Sequence, residues 1–447
     1  MKTKAARYGD LYLMATKVRV TKKGTSSPGA QSKVKPSTQV ECGTSAIKLL
    51  SPINRDELDS LVGMSCEPEQ MAIGRRSEIV AGELCPRFAL LSYLYGLRPV
   101  ARSPGRDQSS YAHMTIALLL RGMKPMAVID VLDQIMQDVA ASSRRPTDPE
   151  RAQDVSLGFA CGCYIYDKLV DHVKAKGFKI RNVEHKFSGT IQISHQWLGI
   201  TVDIPFRFQT DFVLEAPSGA LYWWDTKVIG TSSELYATQM KMGLQASVYT
   251  LWGSTVPELS GRLKGGIFGI CSKPSCSRKG LTKGEGQDLN DYVKEVYENL
   301  EGVGRWSKMA EKRQTEKAMQ VVSKICSQED LNRAAHRLAE WCARKQRGRN
   351  NMAFPAHDNC VHGYMTCDML DLCQYDQSMW RGLVHDPSGS FTTDPDPLNS
   401  ERLHGSELKP VEVPDVIPKK LFGSFNDIFE RKDKGLLTTK WRDFVLP

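Results

Sequence analysis

No stretch of this sequence stays apolar long enough to cross a membrane. The longest apolar run, from Met114 to Leu132, is interrupted by Arg121, Lys124 and Asp130, short of the roughly 20 residues a span requires. It reads as a buried helix or helix pair. Lys2 and Lys4 follow Met1 with no apolar h-region behind them, so a signal peptide is not expected and the cytoplasm is. A strong charge of one sign is also missing. The 60 Lys and Arg against 51 Asp and Glu leave +9, which is compatible with a polyanionic partner without demanding one. No internal repeat is found.

What is present is an ordinary globular composition, 41% hydrophobic and 25% charged, over 447 residues. That length suits two or three units of about 150 residues each. Twelve cysteines in a reducing compartment point away from disulfides and toward packing, catalysis or metal binding.

Five regions are expected along the chain. Residues 1–70 read as a basic flexible arm, because the Lys, Thr, Ser and Pro-rich stretch from Thr21 to Gln39 has no sustained apolar period. Residues 71–148 are helical: Ser77 can cap a helix carrying Ile79, Val80, Leu84, Phe88, Leu91 and Leu94 at helical spacing up to Gly96, with Cys85 in its middle. A second helical stretch covers about Ser110 to Ala141. Residues 149–275 hold a helix from Pro149 to Lys176, β-rich segments Ile180 to Ile193, Ile200 to Leu214 and Ala220 to Ile229, a helix from Ser233 to Trp252, and a strand from Gly266 to Cys271. The order is α-β-β-β-α-β. Residues 276–380 combine a charged helical stretch, Gln287 to Gln346, with a cysteine-rich segment. Its bases, Arg333 and Arg337 among them, suit either a DNA-facing surface or a solvated helix face. Residues 381–447 form a Pro and Asp-rich linker and tail, whose Phe422, Phe425, Ile428, Phe429 and Trp441 suit docking on the body or on a partner.

The chemistry concentrates in the segment from Asp211 to Lys227. Pro217-Ser218-Gly219 is a turn with Gly at the left-handed position of a three-residue loop, so Ala216 should face Ala220. Counting outward sets Asp211 against Asp225, and Lys227, two residues on, shares the face of Asp225. Paired carboxylates repel, and a hard divalent cation between them makes the pairing favourable. A lysine beside the cation can position or help deprotonate water, or stabilise an attacked phosphate. An Asp-x-Lys can also be a plain exposed ion pair. The flanking Trp223, Trp224, Val228 and Ile229 favour function, since unpaired charge in an apolar strand is costly.

This order of elements, with Asp211 and Asp225-Thr226-Lys227, resembles the PD-(D/E)xK nuclease superfamily. Gln245-Ala-Ser-Val-Tyr249 looks like the Gln-x-x-x-Tyr motif of its RecB-like branch, and Glu184 resembles a first-strand Glu seen there. Cys85 before the core, then Cys360-x6-Cys367-x5-Cys373 after it, resemble the four ligands of the iron-sulfur exonucleases of this branch, phage-encoded, CRISPR-associated and AddB-type. The resemblance covers about residues 80 to 375. It implies an α/β restriction-endonuclease-like core with a mixed sheet, flanked by helical regions stapled by a four-Cys cluster. Its occupant would be a [4Fe-4S] cluster, although four thiolates also suit zinc. His357 and His362 lie near that segment, and the other cysteines read as core.

The resemblance departs at one place. Relatives often carry a His, or in some branches a Glu, on the first core helix, commonly four residues after a glycine, and after Gly158 that position is Gly162. Glu150 and Asp154 share that helix as substitutes without the family spacing. The implied activity is a DNA exonuclease dependent on magnesium or manganese, processing DNA ends in recombination, replication or repair. Asp211, Asp225 and the Thr226 carbonyl would hold metal, Lys227 would assist, and Gln245 and Tyr249 would position the strand. Two alternatives stay open at this point: an inactive nuclease-fold DNA-binding protein, and an adaptor whose tail recruits a recombination or single-strand annealing protein.

Overall fold

The computed structural model describes residues 78–79, 85–94, 97–99, 104–142, 148–195, 199–230, 233–274, 289–302 and 318–351, with short pieces at 361–362, 365–366, 369, 372 and 391–393. The expected arm, Cys360, Cys367, Cys373, His357 and the apolar residues of the tail lie outside them. The chain is α/β, built on a mixed five-stranded sheet.

The helical part begins with α1 (Pro86–Ala89), continued by a π-turn at Leu90–Leu94, and a short strand β1 (Leu97–Pro99). The expected helix from Ser77 to Gly96 is therefore not one regular helix. Next come α2 (Pro104–Leu120), α3 (Pro125–Ser142) and the long α4 (Asp148–Lys176). Gly122, at φ 85, turns the chain between α2 and α3, so the apolar run from Met114 to Leu132 is a helix pair. Among the described residues no helix is long and apolar enough to cross a membrane.

After α4 the chain runs through β2 (Lys179–Arg181), β3 (Lys186–His195), β4 (Ile200–Gln209), β5 (Phe212–Glu215) and β6 (Leu221–Ile229). The two β-rich segments expected at 180–193 and 200–214 are each broken. Asn182 and Glu184 take positive φ, 49 and 54, and turn the first; the second bends at Thr210 and Asp211. As a result β3 and β4 pair with each other as a separate hairpin, while β2 and β5 join the main sheet. Its order is β2-β5-β6, then β7 (Leu263–Ser272) and β8 (Met319–Ile325). Strands β6 and β7 are parallel, which requires a crossover. Helices α5 (Ser233–Met242) and α6 (Leu244–Gly253) supply it, with Gly243 interrupting the single helix expected there.

Strand β8 corrects the reading of 287–346 as helical throughout. Helix α7 (Leu289–Leu300) precedes it and α8 (Gln328–Asn351) follows. On α8 the exposed Arg333 pairs with Glu329 and Asp330 at 3.6 and 3.2 Å, which is the solvated-face arrangement. Strand β9 (Phe391–Thr393) pairs antiparallel with β1, so part of the expected linker is a strand joined to the N-terminal helical region.

Both faces of the sheet are covered. Trp224, Phe212 and Leu214 enter one core with α2, α3, α4 and α7. Trp223, Val213 and Phe268 enter the other with β3, β4, α5, α6 and α8. Alternation along β6 thus sends consecutive tryptophans to opposite layers. Strand β7 carries Gly266 and Gly269 beneath them, where an added Cβ would stand 2.1 Å from the Trp223 ring and 2.4 Å from the Trp224 ring.

His172 of α4 lies in the first core, its ring 5.8 Å from Phe178 and 5.9 Å from Trp224. Burial, with the charge of Lys176 adding to it, lowers its pKa below the usual 6.5. The unfolded chain therefore takes up this proton at a higher pH than the folded one. The contribution to stability is complete above pH 6.5 and is lost as the pH falls toward the folded value. The thermal midpoint should drop between about pH 7 and about pH 5, and His172→Gln should drop less steeply. Parallel slopes for the two proteins in a melting series would contradict this.

Candidate metal centre

The turn Ala216 to Ala220 closes the β5–β6 hairpin as its residues demand. Gly219 sits at φ 81, the Ala216 amide donates to the Ala220 carbonyl at 2.8 Å, and the Gly219 amide donates to the Ala216 carbonyl at 2.8 Å. The register that follows, Glu215 with Leu221 through Phe212 with Trp224, is the one the turn predicts. One step further the regular ladder stops. The Asp211 amide still donates to the Trp224 carbonyl at 3.2 Å. The Thr226 amide, however, donates to Asp211 Oδ2 at 2.5 Å. A side-chain carboxylate here takes the place of a strand carbonyl.

Two further groups converge on that carboxylate. Glu184 stands in the turn between β2 and β3, not on a strand, and is 2% exposed. Its amide donates to the Asp211 carbonyl at 2.7 Å, and Gln209 Nε2 donates to its Oε2 at 2.6 Å. A non-glycine residue at φ 54 is strained by about 1–3 kcal/mol and is found mostly where the surroundings fix it for a purpose. His113 of α2 places Nδ1 3.2 Å from Asp211 Oδ2, yet without the geometry of a hydrogen bond. One ligand atom each from His113, Glu184 and Asp211 lies within 4.8 Å of the others. Together with Ile116, Ala117, Phe212 and Thr226 they line a narrow recess.

His113 reaches the recess because α2 and α4 approach closely. An added Cβ at Gly158 would stand 2.5 Å from Tyr111 Cβ, and one at Gly162 would stand 2.5 Å from Thr115 Cβ and 2.9 Å from the Ala112 carbonyl. The residue type that leaves α4 without a histidine at position 162 is what lets a histidine arrive from α2. Sequence reasoning missed it because helix packing, not spacing, brings it in. The available signal was a lone titratable residue at the edge of the apolar run starting at Met114. Asp154, the expected substitute on α4, accepts from Gln108 Nε2 at 2.5 Å and is not among the three ligand residues; the Glu150 side chain lies outside the described residues.

Asp225 also stands outside the group of three. With Lys227 it shares the Trp223 face of β6 by strand alternation. Its Oδ2 lies 2.5 Å from Lys227 Nζ and accepts from Gln245 Nε2 at 3.1 Å. Burial works to lower the Lys227 pKa, but the charge and hydrogen bond of Asp225, with Tyr236 and Tyr249 contributing, hold it above 10.5. Gln245 thus fixes a carboxylate, whereas Tyr249 is 7% exposed and packs on Phe208 and Trp223 at 5.2 and 5.4 Å. Thr226 faces the recess side, where its hydroxyl accepts from Trp224 Nε1 at 3.0 Å. The N–H and C=O of a strand residue leave by the same edge, so its carbonyl is directed toward the edge where β5 has ended. Cys85 is buried and its Sγ accepts from the Phe88 amide at 3.5 Å, capping α1.

No protein-family model matches the chain, and no curated protein matches it.

Replacing Gly162 by Ala would gain about 1 kcal/mol of helix propensity. The contacts at 2.5 and 2.9 Å are to a Cβ and a main-chain oxygen, which no rotamer change can move. Overpacking of this kind costs about 1–3 kcal/mol, so the net effect should be destabilising. Helix α2 must also shift, and His113 with it. Gly162→Ala should lower the thermal midpoint and weaken Mn2+ binding together, read by calorimetric titration; unchanged Mn2+ affinity would separate the glycine from the site.

Proposed function

We propose that this protein is a divalent-metal-dependent DNA nuclease of the PD-(D/E)xK type, acting on DNA ends. The observation that carries this reading is the convergence of His113, Glu184 and Asp211 ligand atoms within 4.8 Å, on the strand pair that bears Asp225-Thr226-Lys227. With the β3–β4 hairpin set aside and α5 and α6 counted together as the crossover, the order from α4 to β7 is α-β-β-β-α-β, which supports the same reading. A histidine does stand beside Asp211, His113 from α2, which favours the active reading over that of an inactive binding protein.

The donor set fits a hard or borderline divalent ion. Two carboxylates, an imidazole and the Thr226 carbonyl suit Mn2+, and Mg2+ with more water in its shell. Such an ion, when bound, makes water more acidic and draws charge from a phosphate oxygen. The chain's own residues do the rest. Gln209 and the Thr226 amide hold the carboxylates of Glu184 and Asp211 in place before any ligand arrives. Asp225, itself held by Gln245, keeps Lys227 protonated. Lys227 therefore acts as a fixed positive charge toward the phosphate and not as a base.

Mn2+ titration and cleavage of labelled oligonucleotides test the assignment. Asp211→Asn should lose both. Lys227→Met should keep Mn2+ binding and lose cleavage by about 10²–10³. A folded wild-type protein that neither takes up Mn2+ nor cuts DNA would overturn the proposal, as would cleavage indifferent to both substitutions. Since Lys227 stays charged through its raised pKa, cleavage should show no falling limb from this residue up to about pH 9.

A [4Fe-4S] cluster on Cys85, Cys360, Cys367 and Cys373 belongs to the same proposal. The β1–β9 ladder joins a segment following Cys85 to one following Cys373, which is the connection such a cluster would reinforce. Protein purified without oxygen should be brown and carry about four irons per chain. A folded, colourless protein binding zinc instead would sink the iron assignment and leave the nuclease reading standing.

A further inference from the structure

Two acids of the candidate metal centre also form the base of a hairpin. Strands β3 and β4 pair Lys186 with Gln209. The pairing runs on through the Thr210 amide, which donates to the His185 carbonyl at 3.3 Å, to the Glu184 amide, which donates to the Asp211 carbonyl at 2.7 Å. One face of this hairpin is fixed in the body of the protein. Phe187, Ile191, Phe206 and Phe208 enter the second core, and Phe206 stacks on Trp252 at 5.5 Å. The opposite face, by strand alternation, carries Lys186, Ser188 and Arg207, all exposed. Gln209 shares that face, and its Nε2 donates to Glu184 Oε2 at 2.6 Å. The open face therefore meets the Glu184 carboxylate at its inner end.

Charge is uneven along this face. Ser188 stands opposite Arg207, and Lys186 is the diagonal neighbour of Arg207, about 7–8 Å away between main chains. The nearest acid, Asp203, lies farther out opposite Gln192, whose Nε2 donates to it at 3.0 Å. Exposed arginines elsewhere have acids for partners: Arg262 meets Glu215 at 3.0 Å and Arg333 meets Asp330 at 3.2 Å. Among the described residues no acid pairs with Arg207.

We propose that the open face of the β3–β4 hairpin is the surface along which the DNA backbone approaches the metal centre, with Arg207 contacting a phosphate beyond the one that is cleaved. The inference rests on reading His113, Glu184 and Asp211 as a divalent-cation site in a nuclease. A chain with one phosphate at that site carries its next phosphates alongside, and the surface that begins at Glu184 is the one bearing Arg207. Arg207 is two residues out from Gln209, about 7 Å along the strand, which sets it against a neighbouring phosphate and not the reacting one. Its planar fork suits two oxygens of one phosphate. Such a contact positions the backbone and reads no base. The aromatic anchoring of the other face holds this spacing constant.

Binding of a labelled duplex oligonucleotide, followed by fluorescence anisotropy in CaCl2 across a salt series, tests this. Arg207→Gln should weaken binding about threefold or more and lower the slope of log affinity against log salt by about 1. Arg207→Lys keeps the charge and should restore the slope. Mn2+ affinity, read by calorimetry, should stay at the wild-type value in both. Arg333→Gln, at an arginine already paired on α8, should leave the slope unchanged. If Arg207→Gln fails to fold, Lys186→Gln reads the same face. An unchanged slope in folded Arg207→Gln, or an equal drop in Arg333→Gln, overturns the proposal. A wild-type dimer in sedimentation that Arg207→Glu dissolves also overturns it, because a second copy would then occupy this face. A wild-type protein that takes up no Mn2+ removes the metal reading instead, and an Arg207-dependent slope would then leave the hairpin surface standing.

Discussion

The Thr226 amide bonded to the Asp211 carboxylate is the constraint on which the site depends. It lies where a hairpin ladder would otherwise continue, and it exchanges a main-chain acceptor for a side-chain carboxyl oxygen. A buried carboxylate is tolerated when donors surround it, and the strand supplies this donor at no further cost in chain order. Because the hairpin turn fixes the register, the carboxylate is located by the sheet and not by a loop. The Asp211 carbonyl then receives the Glu184 amide, so the same residue that ends the ladder also sets the position of the second acid.

Strand β6 divides the charged groups between the two layers. Trp223, Asp225 and Lys227 share the side covered by α6, where Gln245 meets Asp225. Trp224 and Thr226 share the side covered by α2 and α4, where His113 stands beside Asp211. A strand only a few ångströms thick thus keeps an ammonium–carboxylate pair close to a second carboxylate cluster without merging them. In the proposed chemistry this separation is useful. Lys227 remains charged and oriented by its own partner, while the acids across the strand are left to a metal.

How much of this was legible follows from the range of the interactions involved. The hairpin register was readable because Pro217, Ser218 and Gly219 are local and their turn geometry is nearly forced. The coarse order of helices and strands was readable from periodicity, whereas the mixed sheet came only from the family resemblance. The break at Glu184 was not, since its positive φ is imposed by Gln209 and Asp211 from elsewhere, and nothing in Asn182 to Glu184 is a glycine. Strand β8 was hidden because Met319 to Ile325 lies between charged helical segments, and its pairing with β7 is a tertiary event. His113 was hidden for the same reason: Gly158 and Gly162 read as an ordinary helix interior until another helix is laid across them. Asp225 illustrates the converse. The motif that marked it is local, and the partners it meets in the structure, Lys227 and Gln245, are not those of a carboxylate paired with Asp211.

The three residues of the candidate metal centre are held by bonds within the protein itself, and this bears on what the fold needs. Asp211 has the Thr226 amide, Glu184 has Gln209, and His113 is carried by a helix wedged against α4 through main-chain contacts at two glycines. The local costs are a strained φ at Glu184 and two carboxylates close together. Against them stand two apolar layers, one on each face of the sheet, with Trp223 and Trp224 as their adjoining anchors. Burying one such aromatic side chain contributes about 1.5–3 kcal/mol, comparable to the whole strain at Glu184. The fold can therefore present the cluster ready-made, and a cation entering it would meet acids already oriented. The site is a consequence of the packing around β6, and the packing does not wait for a ligand to complete it.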